Sequence, residues 1–519
     1  MSNWIYEFEI QVHNRGNEIA VIHDGRTKTY DELNRAASSF ANWLREQGYK
    51  RVAMYMPNAY EFYVVEFGAL KAGASGVPVN YMFAEEIIEY VLKDSEADVL
   101  VIFAQDAAVA ASAVQGSNVK DIVVIGTSPL GTITLDEILS TYPDYISSVP
   151  RSDDDIFNLS YTSGTTGRPK GVIKTHRNMS AHITNMVHVW KLGPRSRWLC
   201  TGPIYHTSGL ESSSLPVLAA GGTVVSLKWQ VEKFFAHVHQ YKPEAAYIVG
   251  SMLVDIANYE HPEKWDLSSL KFVVGGGAPM NASAYEKIKQ KYQFILTERL
   301  GMTEAGIIFV YPVGTPGRFS PREELPYHLG ESCGKPLYNQ TQFRLIDLLT
   351  GQIKQSGEGE LQIKGDSVFK GYWKLPALTE KVFTEDGWFK TGDIVLFHED
   401  GHVYHSRRRD EIIISGGENV SPRAIEVVAE AHADILEAAV FALPHEHWGQ
   451  EVCLAVVKRP GANLSEIELI QYFKQSGRLA KYEIPKRIFF RESLPKTPTR
   501  SVPRAKLTQE YLPYATNKS

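Results

Sequence analysis

Apolar residues recur every three or four positions at Leu33, Ala36, Phe40, Ala41 and Leu44, the spacing of one face of an amphipathic helix. Thr29 and Glu32 precede the run with capping-box spacing, and Gly48 stands where the helix should stop. Short apolar stretches at 52–56, 100–103 and 121–126 predict buried strands, and 61–70 predicts another helix. Alternation of this kind predicts a mostly parallel sheet covered on both faces. Between 352 and 363 the pattern shifts to short alternations rich in Gly and Glu, which predicts hairpins or a small barrel. Beyond Asp410 it changes again: helices at 422–432 and 465–473, strands at 438–443, 452–458 and 486–490. The expected fold is α/β. A large region over 1–409 holds mixed, mostly parallel sheets with a small β-rich subdomain, and a small mobile α+β domain spans 410–519.

The length of 519 residues allows about two to four domains. Hydrophobic residues at 44% and charged residues at 22% fit a globular chain and argue against disorder. A net charge of −6 gives no electrostatic reason to expect nucleic acid. Cys200, Cys333 and Cys453 lie far apart without CxxC spacing, so neither a disulfide framework nor a zinc site is expected. Glu7 and Glu9 interrupt any signal-peptide pattern, and no run of about 18 apolar residues predicts a membrane span. A cytoplasmic protein is expected, with a homodimer left open.

Candidate chemistry is densest in Tyr161 to Gly171, YTSGTTGRPKG, which holds three glycines, four small hydroxyl side chains and the bases Arg168 and Lys170. Glycine lets backbone N–H groups approach an anion closely, and the two cations suit a polyphosphate. It is not the GxxxxGK[ST] loop, since Lys170 lies between Pro169 and Gly171. Three other features carry less. Gly330 to Gly334 fits GxSxG, but a nucleophile elbow needs a helix to follow, and Pro336 obstructs one. His445-Glu446-His447 follows Pro444 and lacks the i, i+4 spacing of a helical metal site. Arg407 to Arg409 is compatible with a solvated turn.

YTSGTTGRPKG resembles the phosphate-binding signature of the adenylate-forming family: acyl-CoA synthetases, peptide-synthetase adenylation domains and luciferases. Further segments follow in the family's order: PIYHTSG (Pro203 to Gly209), GGGAP (Gly275 to Pro279), GMTE (Gly301 to Glu304), GELQIKG with GYW (Gly359 to Trp373), KTGD (Lys390 to Asp393) and RRRDEIIISGGENVSP (Arg407 to Pro422). The resemblance spans nearly the whole chain and implies an AMP-forming acyl-CoA ligase using ATP, Mg²⁺ and coenzyme A. It also implies residue roles. Ser163, Thr165, Thr166, Gly167 and Lys170 cradle the β- and γ-phosphates. Thr303 contacts the α-phosphate, and Glu304 holds Mg²⁺. Gly275, Gly276, Gly277 and Ala278 wall the adenine, and Asp393 with Arg408 grips the ribose. Asp410 is the hinge, and Ser415, Gly416 and Gly417 line the thiol approach. His206 positions the acid beside an acyl pocket that includes Tyr205, Gly301, Met302 and Ile307.

Two positions depart from the family pattern. Leu300 precedes GMTE where many relatives carry an aromatic residue. PKTPTRSVPR (Pro495 to Arg504) puts Arg500 and Ser501 where the family has Gly and its adenylation lysine, with Arg500, Arg504 and Lys496 as candidate replacements. A cation offsetting two anions is a large electrostatic term in such a step. Three readings therefore stand beside the ligase: transfer to a separate carrier-protein thiol or another acceptor, an adenylation-impaired nucleotide-binding homologue, and a structural protein, which the motif set disfavours. The acid is not legible; Gly306, Ile307 and Ile308 suggest an apolar pocket, and fatty-acid metabolism is the setting the resemblance implies.

Overall fold

The structure is a computed structural model. It describes residues 4–127, 132–162, 168–276, 282–310, 333–336, 341–399, 401–408, 413–415, 418–420, 422–445, 448–476, 478–479, 482–497 and 502–515. Among these, the strands form four sheets.

The seven-stranded sheet runs Gly371–Tyr372, Lys170–Thr175, Ile156–Thr162, Ser75–Val79, Arg51–Tyr55, Val99–Phe103 and Asp121–Ile125. Its central pairings are parallel, as the alternation predicts, while Lys170–Thr175 pairs antiparallel with both of its neighbours. The nine-stranded sheet is likewise parallel through its middle and antiparallel at both edges. Both sheets bury continuous apolar runs such as 99–102 and 245–248, the pattern of parallel strands covered on each face.

The predicted helix extends over Tyr30–Gln47. Its capping box is complete: the Glu32 amide donates to Thr29 Oγ1 at 3.1 Å, and the Thr29 amide donates to Glu32 Oε2 at 2.8 Å. The alternating region forms a five-stranded antiparallel sheet containing Gly357–Gly365 and Phe389–Phe397. It is open rather than barrel-like among the described residues, because its edges, Ile353–Lys354 and Val403–Arg408, do not pair and the first is only two residues long.

The C-terminal domain has its own apolar core. The hairpin of Ile435–His445 and Gly449–Lys458, joined by the parallel strand Arg487–Arg491, is covered by helices Pro422–Glu430, Glu466–Ser476 and Arg504–Tyr511. Among the described residues, no helix is long and apolar enough to cross a membrane. The three cysteines are free and buried.

Candidate active site

The YTSGTTGRPKG segment joins two antiparallel strands, with Thr162 opposite Lys170. Ser163, Thr165, Thr166 and Gly167 lie outside the described residues; Arg168 and Lys170 mark where the segment returns. Arg168 lies over the Tyr90 ring at 5.2 Å and Lys170 over the Tyr372 ring at 5.6 Å. Tyr372 belongs to GYW, whose short strand pairs with the strand that Lys170 begins. The Tyr372 hydroxyl donates to Glu304 Oε1 at 2.9 Å. Three segments distant in sequence thus meet at one point.

Glu304 and Thr303 occupy the turn between the antiparallel strands Ile295–Met302 and Gly306–Val310. The Glu304 carbonyl accepts from the Phe369 amide at 2.7 Å, which fixes the turn. Tyr372 is the only described donor to the carboxylate, so its second oxygen stays available to a cation. Among the described residues no three His, Cys, Asp or Glu side chains gather as a metal cluster. A Mg²⁺ at Glu304 would depend on ligand oxygens and water for the rest of its shell.

Asp393 is buried, 2% exposed, and lies directly opposite Arg408 in the antiparallel ladder. The backbone register thus sets opposite each other the two residues expected to grip the ribose. His405 Nε2 stands 3.3 Å from Asp393 Oδ1. Gly275 and Gly276 end a parallel strand beside Ile295–Met302. Gly277, Ala278, Asp410, Gly416, Gly417 and Ser501 lie outside the described residues. Ser415 is buried and ends a strand paired with Glu418–Val420.

The PIYHTSG segment leads into a π-helical turn, Leu210–Ser214, an element that often marks functional sites. Its Glu211 forms a buried ion pair with Lys174, four residues beyond Lys170. Lys174 also donates to Thr207 Oγ1 at 3.1 Å, and Asn158 Nδ2 donates to Glu211 Oε1 at 3.0 Å. This network fastens the PIYHTSG segment to the strands flanking YTSGTTGRPKG. Burial and the Lys174 charge push the His206 pKa down to about 4, so His206 is neutral at pH 7 and fits a positioning role. Adenylation needs no base on the acid, which is already ionised.

Tyr205 is half-buried, Ile307 is buried, and Gly301 and Met302 are half-buried around the same turn. The sequence reading missed several polar groups here. His182 sits beneath Gly306, with its Nε2 3.2 Å from Ser212 Oγ and its pKa lowered to about 3 by burial. Glu66 is fully buried without a hydrogen-bond partner among the described residues; burial, and then the Glu211 charge, raise its pKa to about 8. Arg299 is buried beside Tyr247. No local pattern announces these contacts, because each partner comes from a different strand or helix.

Two of the candidate replacements for the missing lysine are already engaged. Arg504 binds Glu426 and the Val440 carbonyl, and Lys496 pairs with Glu437. The GxSxG segment runs into the strand Lys335–Pro336 rather than a helix, so the elbow reading is set aside. His445 stacks on Trp448 with centroids 4.3 Å apart.

The AMP-binding enzyme family model matches residues 8–373, and its C-terminal domain model matches 424–501. A long-chain-fatty-acid–CoA ligase of Mycobacterium tuberculosis is 30% identical over 93% of both chains. A sulfoacetate–CoA ligase of Cupriavidus necator is 30% identical, covering 88% of this chain and 86% of its own. The crystal structure of ATP-bound MatB from Rhodopseudomonas palustris superposes with a TM-score of 0.89 at 26% identity, covering 99% of this chain and 100% of that one. The sheet order, the clustered motifs and these likenesses agree: the chain belongs to the AMP-binding enzyme family, in the branch of the AMP-forming acyl-CoA synthetases.

Proposed function

We propose that this chain joins a carboxylic acid to coenzyme A in two steps. The carboxylate oxygen attacks the α-phosphorus of ATP, the bond to the β-phosphate breaks, and pyrophosphate leaves. The coenzyme A sulfur then attacks the acyl carbon, AMP leaves, and the thiol proton passes to solvent. The observation that carries this reading is the convergence of Lys170, Tyr372 and Glu304 from three separate motifs.

Lys170 neutralises the terminal phosphates with the hydroxyls of Ser163, Thr165 and Thr166. Thr303, whose hydroxyl has no partner among the described residues, contacts the α-phosphate. Glu304 would hold Mg²⁺, which supplies further charge neutralisation on the phosphates. Asp393 and Arg408 grip the ribose, since a carboxylate accepts from both vicinal hydroxyls, and Gly275 to Ala278 wall the base. Such chemistry depends mainly on positioning and charge. The domain after residue 409 turns about Asp410 between the two steps, and Ser415, Gly416 and Gly417 leave room for the thiol arm.

With Lys496 and Arg504 engaged, Arg500 is the remaining candidate near Ser501 for the adenylation cation. The test is pyrophosphate release across a panel of acids, for the native protein and Ser501→Lys, followed by thioester formation with coenzyme A or a carrier protein. Ser501→Lys should release pyrophosphate faster with every accepted acid; an unchanged rate would mean that another cation already does the work. Pyrophosphate release that never depends on acid, in either protein, would sink the reading.

A further inference from the structure

Moving a guanidinium out of water is costly, and buried arginines normally meet a carboxylate or carbonyl oxygens. Arg299 is only 7% exposed. Its guanidinium lies over the Tyr247 ring at 4.7 Å. It makes no hydrogen bond or ion pair among the described residues, and its buried Nε–H is left without an acceptor. The hydroxyl of Tyr247 is buried and has no partner among the described residues either.

The surroundings do not neutralise this charge. Lys174 is balanced by Glu211. His182 and His206 are neutral at pH 7, with the Arg299 charge among the causes. Burial raises the Cys333 thiol well above its usual pKa, so it offers no anion. Burial lowers the pKa of Arg299 itself to about 9, which leaves it cationic at neutral pH. Among the described residues, the site thus holds one net positive charge without a counterion.

Its position is equally specific. A Cβ on Gly276 would stand 2.9 Å from Arg299 Cγ, and one on Gly301 would stand 3.0 Å from Nη1. The two glycines admit the side chain between the proposed adenine wall and the GMTE turn. The Tyr247 ring packs under Gly202, at the start of the PIYHTSG segment. Arg299 therefore fills volume beside the acyl segments and presents a charge where the sequence suggested an apolar pocket.

We propose that Arg299 is a specificity-determining residue of the acyl site, and that the acid it selects is short and carries a second anionic group, carboxylate or sulfonate, beyond the carboxylate that is adenylated. The second anion supplies the missing counterion, and the filled volume excludes a long chain. This rests on the adenylating function proposed above.

The test measures pyrophosphate release by the full chain with ATP and Mg²⁺. The acids are α,ω-dicarboxylates of three to six carbons, sulfoacetate, and monocarboxylates of matching length. Charge-assisted hydrogen bonds are strong enough for about 10–100-fold discrimination, so kcat/KM should favour the dianions by that factor. The dicarboxylate and sulfoacetate arms show which anion fits. Arg299→Leu should remove the preference through the KM of the acid with the KM for ATP unchanged, and Arg299→Lys should keep part of it. Preference for monocarboxylates in the native protein, or an equal loss for all acids with a raised KM for ATP, would overturn the proposal; the latter would make Arg299 a phosphate contact. If no acid supports turnover even in Ser501→Lys, the adenylating reading fails separately. Calorimetric binding of the dicarboxylates then decides: loss in Arg299→Leu supports the anion site, and equal affinity overturns it.

Discussion

On the proposed nucleotide side, Lys170, Tyr372 and Glu304 meet at half-exposed positions, held by a short strand pairing and one hydrogen bond. On the proposed acid side, Lys174, Glu211, His182 and Arg299 are buried and His206 is half-buried; Lys174 and Glu211 balance each other's charge, and burial with the nearby cations keeps the two histidines neutral. The first arrangement is modular: a side chain there can be removed at little cost to the fold. The second is coupled, because a buried charge that loses its partner destabilises the whole domain.

The strongest way to break this comparison is Lys174→Met. It leaves the buried Glu211 carboxylate without its cation and should cost about 3–5 kcal/mol in urea unfolding. Lys174→Met with Glu211→Leu should recover most of that loss. Equal destabilisation by the single and double variants would show that the pair is not coupled.

Glu304→Ala tests the modular side. Pyrophosphate release should fall by about 10²–10³-fold, the scale of losing one electrostatic stabiliser, with the melting temperature nearly unchanged. A large drop in melting temperature would place Glu304 among the structural residues instead.

Acid sharpens the contrast. His176 and His206 are lowered to about 4 and His182 to about 3, chiefly by burial. The unfolded chain takes up their protons below its ordinary pKa of 6.5 and the folded chain does not. Their stability contribution is therefore full above pH 6.5 and is lost as the pH falls toward the folded values. Each accounts for about 1.4 kcal/mol per pH unit in that window. Glu66 acts in the opposite sense. Its raised pKa of about 8 gives stability that is full below the ordinary carboxylate value and lost as the pH rises to 8. In denaturant midpoints between pH 5 and 7, Glu66→Gln should steepen the acid loss and His182→Gln should flatten it. Unchanged slopes would mean that neither group titrates differently on folding.

The smallest effect belongs to Tyr372→Phe. It removes one hydrogen bond to Glu304, worth about 0.5–1.5 kcal/mol, and should slow pyrophosphate release about 2–10-fold. A larger loss would mean that the Tyr372 hydroxyl also touches substrate.

Much of the fold was legible from local pattern. The helix after Thr29 carries its own start signal and apolar face, and the strands of both domains fall where short apolar runs predicted them, within a few residues at their ends. Lys170 could also be singled out, because dense runs of Gly, hydroxyl and charge are rare in plain turns, whereas Glu304 and Asp393 were reached only through the resemblance of their motifs. The open form of the antiparallel sheet was not legible, since closure depends on whether edge strands are long enough to meet.

By itself, the chain determined its helix caps, its strand positions and the order of its motifs, because those depend on neighbours within a few residues. Tertiary structure alone decided that Tyr372 reaches Glu304, that Glu211 balances Lys174, and that Arg299 enters between Gly276 and Gly301 with no counterion among the described residues. Charge balance in a buried site is set by strand register and helix packing across the whole large domain, and no short stretch of sequence contains that sum.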